Sequence, residues 1–445
     1  MKERVLPIEG AGVKPAPMAA GDATAGLWPW SLYSANSRWT FVVVRFLISS
    51  SNYFDRHILS VLLELIKREF RVSDAMLGLL GGFSFMILNA ALAIPIARLA
   101  DRTNRRTIIA VAVAAWSLAT MACSLAQTFW QLAIARAAVG GGEAGALPTA
   151  HSLIVDYFPP DHRATPLAIY SAGTVVGSML AFSVGGYIAS IYGWRAAFLV
   201  AGAPGLLLAL AARFLLSEPR SVLGYNRIDR STKSLTSTLG SFWAKPSYRY
   251  ALVGFVLSWF VSYGPFIFIP SYMVRVLRIP LSDASVSYGL TVAFASAVGT
   301  LMGGWLGDRL GRHDKRWLAW LPAVASIISG LLFIAAFLAH SFQSFLWLMA
   351  PGYILLASSS SIYAAFHAIS ATETRATAIA IILLSATIIG GGLGPLVTGW
   401  LSDLLSQSYG VEGLRYALIG MMAFSFLSGV FYYLFGRAMI ADLAD

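Results

Sequence analysis

Apolar residues run along this chain in long unbroken blocks. They show neither the period-two alternation of a half-buried strand nor the narrow stripe of a surface helix. Stretches free of Asp, Glu, Lys and Arg cover residues 75–97, 107–135, 164–194, 196–212, 250–274, 284–307, 317–372, 376–402 and 416–436. About 20 apolar residues carry a helix across a bilayer, so each block predicts at least one membrane-spanning helix. The block 317–372 is long enough for two and breaks near 339–343, while 107–135 runs through Ala126-Gln127-Thr128 into the next helix. Two further spans, at 39–66 and from 129 to about 157, carry charge inside them. The pattern predicts an all-α polytopic membrane protein with twelve transmembrane helices.

Composition sharpens this reading. Of 445 residues, 57% are hydrophobic and 12% charged, about half the charged share of roughly 25% usual in soluble domains. Mean hydropathy is +0.69. A disordered chain, a disulfide-stapled module and an ordinary soluble enzyme are excluded. The single cysteine, Cys123, rules out an internal disulfide and a multi-cysteine metal site. The net charge of +11 is read as cytoplasmic loops facing anionic lipid rather than as nucleic-acid binding. With both termini placed inside, the cytoplasmic segments collect 22 Lys and Arg against seven outside, which sets the orientation. Residues 1–38 read as a cytoplasmic tail and 218–246, the longest polar insert, as a linker that divides the chain almost in half. Six-helix bundles at 39–217 and 247–436 and a C-terminal tail at 437–445 complete the expected organisation.

The two halves echo each other. Residues 97–106 read ARLADRTNRR and 304–312 read GWLGDRLGR, each after the second helix of its half. A second echo pairs GWRAAF at 193–198 with GLRYAL at 413–418. Copies on one face of the membrane require an even number of spans per copy, which six plus six satisfies. On these residues the chain resembles the major facilitator superfamily from about residue 39 to 436, whose loop motif is G-x-x-x-D-R-x-G-R-R/K. The second copy keeps Gly304, Asp308, Arg309, Gly311 and Arg312; the first keeps Asp101, Arg102, Arg105 and Arg106 but has Ala97 and Asn104 at the two glycine positions. The resemblance implies that these loops lock the halves together when the cytoplasmic side is closed.

Charged groups inside the spans carry the chemistry, because an ionisable side chain at mid-membrane costs roughly 2.5–3.5 kcal/mol and persists only with a partner or a task. Helix one holds Arg45, Asp55, Arg56 and His57; helix four holds Arg136 and Glu143, followed by His151. If both helices line a central cavity, Asp55 and Glu143 are candidate proton carriers, and Arg56 and Arg136 suit an anionic group held bidentately. The alternative is a pair of salt bridges that only fastens the two helices. Arg45 is read as a residue near a helix end, snorkelling to the interface. Helix ten, with Ser358–Ser361, Tyr363 and His367, presents a polar face, some of which should line the cavity. Pro265 and Pro270 should kink or break helix seven. Phe255, Trp259, Phe260, Tyr263 and Phe266 along the same helix either wall an apolar half-cavity or, as most of them are read, face lipid. GGGEAG at 140–145 formally contains G-x-G-x-x-G but follows no strand, so it reads as close helix packing. So do Gly173 and Gly177; the glycines at 390–394 can also permit bending. No ATP-binding motif appears, so transport would run on an ion gradient, with the proton as coupling ion and no cofactor.

Residues 51–102 resemble the Spinster family, whose helix-one signature N-Y-x-D-R is met by Asn52, Tyr53, Asp55 and Arg56; Arg136 and Glu143 stand in the matching places of helix four. The resemblance implies transport of lysolipids or sphingoid phosphates, with Asp55 and Glu143 as protonation sites and Arg56 and Arg136 on the anionic headgroup. Asn52, Tyr53, His57, His151, Tyr363 and His367 complete the expected substrate contacts. The expected protein is a monomer in a bacterial plasma membrane that binds an anionic amphiphile and no nucleic acid. The helix-four pattern R-x-x-x-G-x-x-E-A-x-x-x-P also occurs in organic anion symporters, and the helix-five glycines in drug:proton antiporters. A membrane receptor that binds without turnover is the alternative of another class.

Overall fold

The computed structural model describes residues 29–145, 153–218, 243–370 and 375–443, and among them every regular element is helical. Helix α1 (Ala35–Phe70) starts where the Ser34 hydroxyl accepts from the Ser37 N–H and ends at Arg71 in the left-handed region. Helix α2 (Asp74–Gly78) continues through a π-helical turn, Leu79–Phe83, into α3 (Ser84–Arg102). Helices α4 (Arg105–Cys123) and α5 (Phe129–Glu143) are separated at the expected place, where Thr128 and Gln131 form a reciprocal capping box. Helix α6 (Ala164–Leu180) passes through a second π-helical segment, Ala181–Gly185, into α7 (Gly186–Leu215). Gly193, at φ 81°, lets the chain turn within α7.

The second half repeats the scheme with α8 (Pro246–Arg275), α9 (Leu281–His313), α10 (Trp317–Leu338) and α11 (Phe342–Ala357). A 3₁₀ turn, Ser358–Ser361, leads into α12 (Ile362–Ile369). Helix α13 (Arg375–Ser385) becomes π-helical over Ala386–Leu393 and continues as α14 (Gly394–Tyr409), followed by α15 (Gly413–Met421) and α16 (Ala423–Met439). Among the described residues, eight helical stretches are long and apolar enough to cross a membrane; Pro160–Leu215 and Thr377–Met439 run for 56 and 63 residues.

Within the first half α1 packs on α6 and α7, α3 on α5, and α4 on both α5 and α7. Within the second, α8 and α10 pack on α16, and α9 and α10 on α11. Small residues set these approaches. Gly177 lies against the Ser50 carbonyl of α1, Gly140 against the Phe85 carbonyl of α3, and Gly142 against Trp116 of α4. The GGGEAG run is therefore a helix-packing surface, as its setting within an apolar span suggested.

The halves meet through α1 with α8, α2 with α14, and α9 with α6, α7 and the π-helical turn between them. Gly78 abuts the Pro395 carbonyl and Gly399 the Asp74 carbonyl, so α2 and α14 touch backbone to backbone.

Two expectations are corrected and one is extended. Of the kink or break expected in helix seven, the break is absent: α8 is one continuous helix through Pro265 and Pro270, both buried, because packed neighbours hold a helix that has lost two donors. Its five aromatic residues pack within the protein more than the lipid-facing reading expected, and Phe266 lines an apolar pocket. Phe255 and Phe260 are buried, and Trp259, Tyr263 and Phe266 partly so; Phe255 packs edge-on to Tyr363 and Phe366, and Phe266 to Tyr353. A helix with neighbours on several sides has little lipid face to spend aromatics on. The serine run of helix ten serves packing as well as polarity: Gly303 lies against Ser358 and Gly307 against Ser361, where a small side chain admits α9 closely.

Candidate functional site

Four polar positions of α1 recur at helical spacing: Arg45, Ser49, Asn52 and Arg56. Steps of four, three and four residues put them on one face. That face, with Ile48 and Tyr53, lines a cavity of ≈ 400 Å³, open mouth included, closed on the far side by Glu143 of α5 and Tyr170 of α6.

The charged groups meet across α1 and α5. Arg56 Nε donates to Glu143 Oε2 at 2.7 Å; the Glu143 side chain is fully buried and that of Arg56 is 24% exposed. The Arg56 guanidinium also lies over the rings of Tyr53 (5.6 Å) and Phe85 (5.3 Å). Asn52 stands beside Glu143. Among the described residues Arg136 clasps no carboxylate: its Nη1 donates to the Asp55 backbone carbonyl at 3.1 Å, and its guanidinium lies 5.3 Å from the Phe85 ring centroid. The Asp55 carboxylate is fully buried, facing Glu143, Arg136, Thr120 and Trp116. Neither of its oxygens is within hydrogen-bond geometry of a partner among the described residues. A buried carboxylate with open acceptor sites can take a proton without breaking an ion pair; Glu143 is open at Oε1 as well, but its Oε2 is held by Arg56, so its protonation weakens an ion pair that Asp55 does not have. The pairing is therefore asymmetric, which the sequence did not show.

The remaining expected contacts divide. Tyr53 lines the cavity; His57 does not, being set among the rings of Tyr53, Phe182 and Phe266 at 5.5–6.0 Å. Tyr363 is exposed and faces Tyr53 from the second half; His367, one turn on, is exposed. His151 lies outside the described residues. Arg45, expected to snorkel, is 1% exposed and lies inside the cavity wall with its guanidinium 5.5 Å from the Tyr170 ring. Ten residues into α1, it is too far from the helix end to reach water along its stem. The spacing of Arg45 from Ser49, Asn52 and Arg56 was the available signal.

A second polar cluster joins the halves at the end where α1 meets α2. Arg275, at the last turn of α8, donates to Asp74 Oδ2 (2.7 Å) and Oδ1 (3.0 Å) and to Glu64 Oε2 (3.0 Å). Lys67 reaches Asp74 Oδ1 at 2.6 Å and the Ser402 hydroxyl donates to Asp74 Oδ2 at 2.7 Å. The Asp403 carboxylate accepts the backbone N–H groups of Asp74 and Ala75 at 2.8 Å each, capping α2 from the opposite half. Sequence reading missed this cluster, because its bonded partners are separated by up to 329 positions and each looks like an ordinary charge at a span end.

At the other end the polar contacts among the described residues stay within each half. Arg105 binds Glu218 and Asp156, and the Arg106 Nη1 donates to the Leu216 carbonyl at 3.3 Å. Ser247 N donates to Asp442 in the second half. Asp308, Arg309 and Arg312 are exposed, Arg309 lies over the Trp305 ring, and Gly311 approaches Leu318. The side chains of Asp101 and Arg102 lie outside the described set.

An apolar pocket of ≈ 270 Å³ sits in the second half, walled by Pro265, Phe266, Phe333, Met349, Tyr353 and Met422 among others.

Comparison with known proteins agrees with this architecture. Residues 45–361 match the Major Facilitator Superfamily. The chain is 32% identical to an MFS-type efflux pump of Mycolicibacterium smegmatis, over 89% of this chain and 91% of that one. It is 28% identical to Protein spinster homolog 1 of Xenopus laevis, over 88% and 79%. Among solved structures, a bacterial homologue of the human lysosomal transporter Spinster, in an inward-facing and unoccupied conformation, superposes with a TM-score of 0.83 at 30% identity, covering 93% of this chain and 100% of that one.

Proposed function

The chain belongs to the Major Facilitator Superfamily and is Spinster-like within it, and on that premise we propose that it is a proton-coupled secondary transporter of an anionic amphiphile, a lysophospholipid or sphingoid-phosphate-like lipid. The observation that carries the reading is the Arg56–Glu143 pair on the wall of an open cavity, with the buried Asp55 carboxylate behind it. Proton uptake by Glu143 frees Arg56 for a substrate anion, so proton and cargo compete for, or exchange through, one guanidinium. A polar cavity in one half and an apolar pocket in the other suit a molecule with a charged head and an apolar tail.

Twelve spans fit the described helices when Pro160–Leu215 and Thr377–Met439 are each counted as two crossings and the charged helices α1 and α5 are added. The excess of basic residues places both termini in the cytoplasm. On this orientation the Arg275 cluster ties the halves together on the outer side, while the described polar contacts at the cytoplasmic side stay within each half, which suits an inward-facing state of a protein in the bacterial plasma membrane. In this state the exposed Asp308 and Arg309 are the disengaged parts of the cytoplasmic lock.

The similarity to an efflux pump supports a second reading, outward export of small organic anions or drugs by the same carboxylates. Proteoliposome uptake separates the two. A lysolipid flux that rises with an imposed pH gradient is expected. Flux of a small organic anion that ignores lysolipid would favour the second reading, and binding without counterflow would leave only a receptor.

A further inference from the structure

We propose that Arg45, with Tyr170, forms a second anion-binding station in the same cavity, three helical turns from the Arg56–Glu143 pair and nearer the cytoplasmic mouth. The inference deepens the proposed function and rests on it. Arg45 and Arg56 are eleven residues apart, which on an α-helix is roughly 16.5 Å of rise and about 20° of rotation. Both line one cavity, so they face one space from two levels. Arg45 is 1% exposed, and a guanidinium enclosed in a low-dielectric wall attracts an anion more strongly than one in water. Its neighbour is the Tyr170 hydroxyl, a group that can also donate to an anionic oxygen.

The interval between the two arginines supplies the second line of argument. Ser49, one turn from Arg45, lines the same cavity, is 3% exposed, and its hydroxyl has no hydrogen-bond partner among the described residues. A buried hydroxyl left open costs free energy unless something in the cavity meets it. Arg45, Tyr170 and Ser49 are together a donor set for a phosphate or carboxylate. Glu143 faces the other end, where Arg56 is already held. The cavity thus separates its duties along α1: the Glu143 end exchanges protons, and the Arg45 end takes the anionic headgroup as it arrives from the cytoplasm. An amphiphile with its head at Arg45 need not break the Arg56–Glu143 bond to bind, and moves on to Arg56 only when Glu143 is protonated.

The test is a comparison of two lipids with the same acyl chain, lysophosphatidylglycerol and the uncharged monoacylglycerol, titrated against the full-length protein. Arg45→Gln should weaken the anionic lipid about tenfold or more and leave the uncharged one within about twofold, the size expected for losing a charge-assisted hydrogen bond. Arg45→Lys should restore part of the loss, and Tyr170→Phe should cost the anionic lipid a few-fold in the same direction. The pH midpoint of transport should stay in place in Arg45→Gln and move in Glu143→Gln. Equal losses for both lipids would reduce Arg45 to a fastener between α1 and α6, and an unchanged anionic affinity would overturn the station outright. A wild-type protein that binds neither lipid overturns the amphiphile reading instead. The station is then judged with benzoate against benzamide, where equal affinities for Arg45→Gln and wild type would end it.

Discussion

Asp55 and Glu143 look alike in sequence, two acidic residues inside apolar spans, yet their surroundings differ. Glu143 is bonded to Arg56 at 2.7 Å, while the Asp55 oxygens make no hydrogen bond among the described residues. Glu143→Gln should keep a hydrogen bond to Arg56 and lose the exchangeable proton, so pH-driven uptake should fall by more than about tenfold while the protein still purifies as a folded monomer or oligomer. Asp55→Asn should lose coupling too. Wild-type coupling in both variants, measured as uptake with and without a pH gradient, would leave these residues as helix fasteners. Asp55, Arg56, Arg136 and Glu143 were legible because charge in an apolar span is expensive and therefore informative. That Arg136 serves a backbone carbonyl was not legible, since which acceptor a guanidinium finds depends on how two helices cross. Arg45 was misjudged for a simple reason: its depth was counted from the apolar block at residue 39, whereas the helix begins at Ala35, ten residues before Arg45.

At the scale of elements, glycine positions separate packing from function. A Cβ at Gly177 would press on the Ser50 backbone, whereas a Cβ at Gly304 meets nothing. Gly177→Ala should therefore cost about 1–3 kcal/mol by forcing α1 and α6 apart, read as a lower thermal midpoint. Gly304→Ala should leave that midpoint unchanged. A comparable drop in both would show that the α1–α6 contact is looser than the structure has it. The cluster around Arg275 belongs to this scale as well, because it ties α8 to α1 and α2. Arg275→Gln removes three charge-assisted contacts at a partly buried site, and should shift the conformational balance toward the opposite-facing state by roughly tenfold. The readout is the reactivity of a Tyr53→Cys reporter toward an impermeant thiol reagent from outside; native Cys123 is buried. No gain in labelling would mean that the α2–α14 backbone contacts hold that side closed unaided.

For the whole molecule, the proposed lock role of the repeated loop motif predicts an effect only in a state where the ends of the two halves carrying it meet. Asp308→Ala should slow transport several-fold with substrate affinity retained, because the exposed side chain makes no ion pair among the described residues here. Equal loss of binding and transport would argue instead for a general folding role. The apolar blocks, the basic loops and the two Asp-Arg echoes were enough to read a helical membrane transporter of duplicated design. Hydrophobic length and charge placement are local properties, and the bilayer enforces them residue by residue. What only the tertiary structure decided is which side chains share a space. The pairing of Arg56 with Glu143 across 87 positions and of Arg275 with Asp74 across 201 depends on how the helices cross and how the halves rock. So does the admission of Arg45 to the cavity wall. Such long-range geometry comes from packing summed over the whole fold and leaves no periodic mark in the chain.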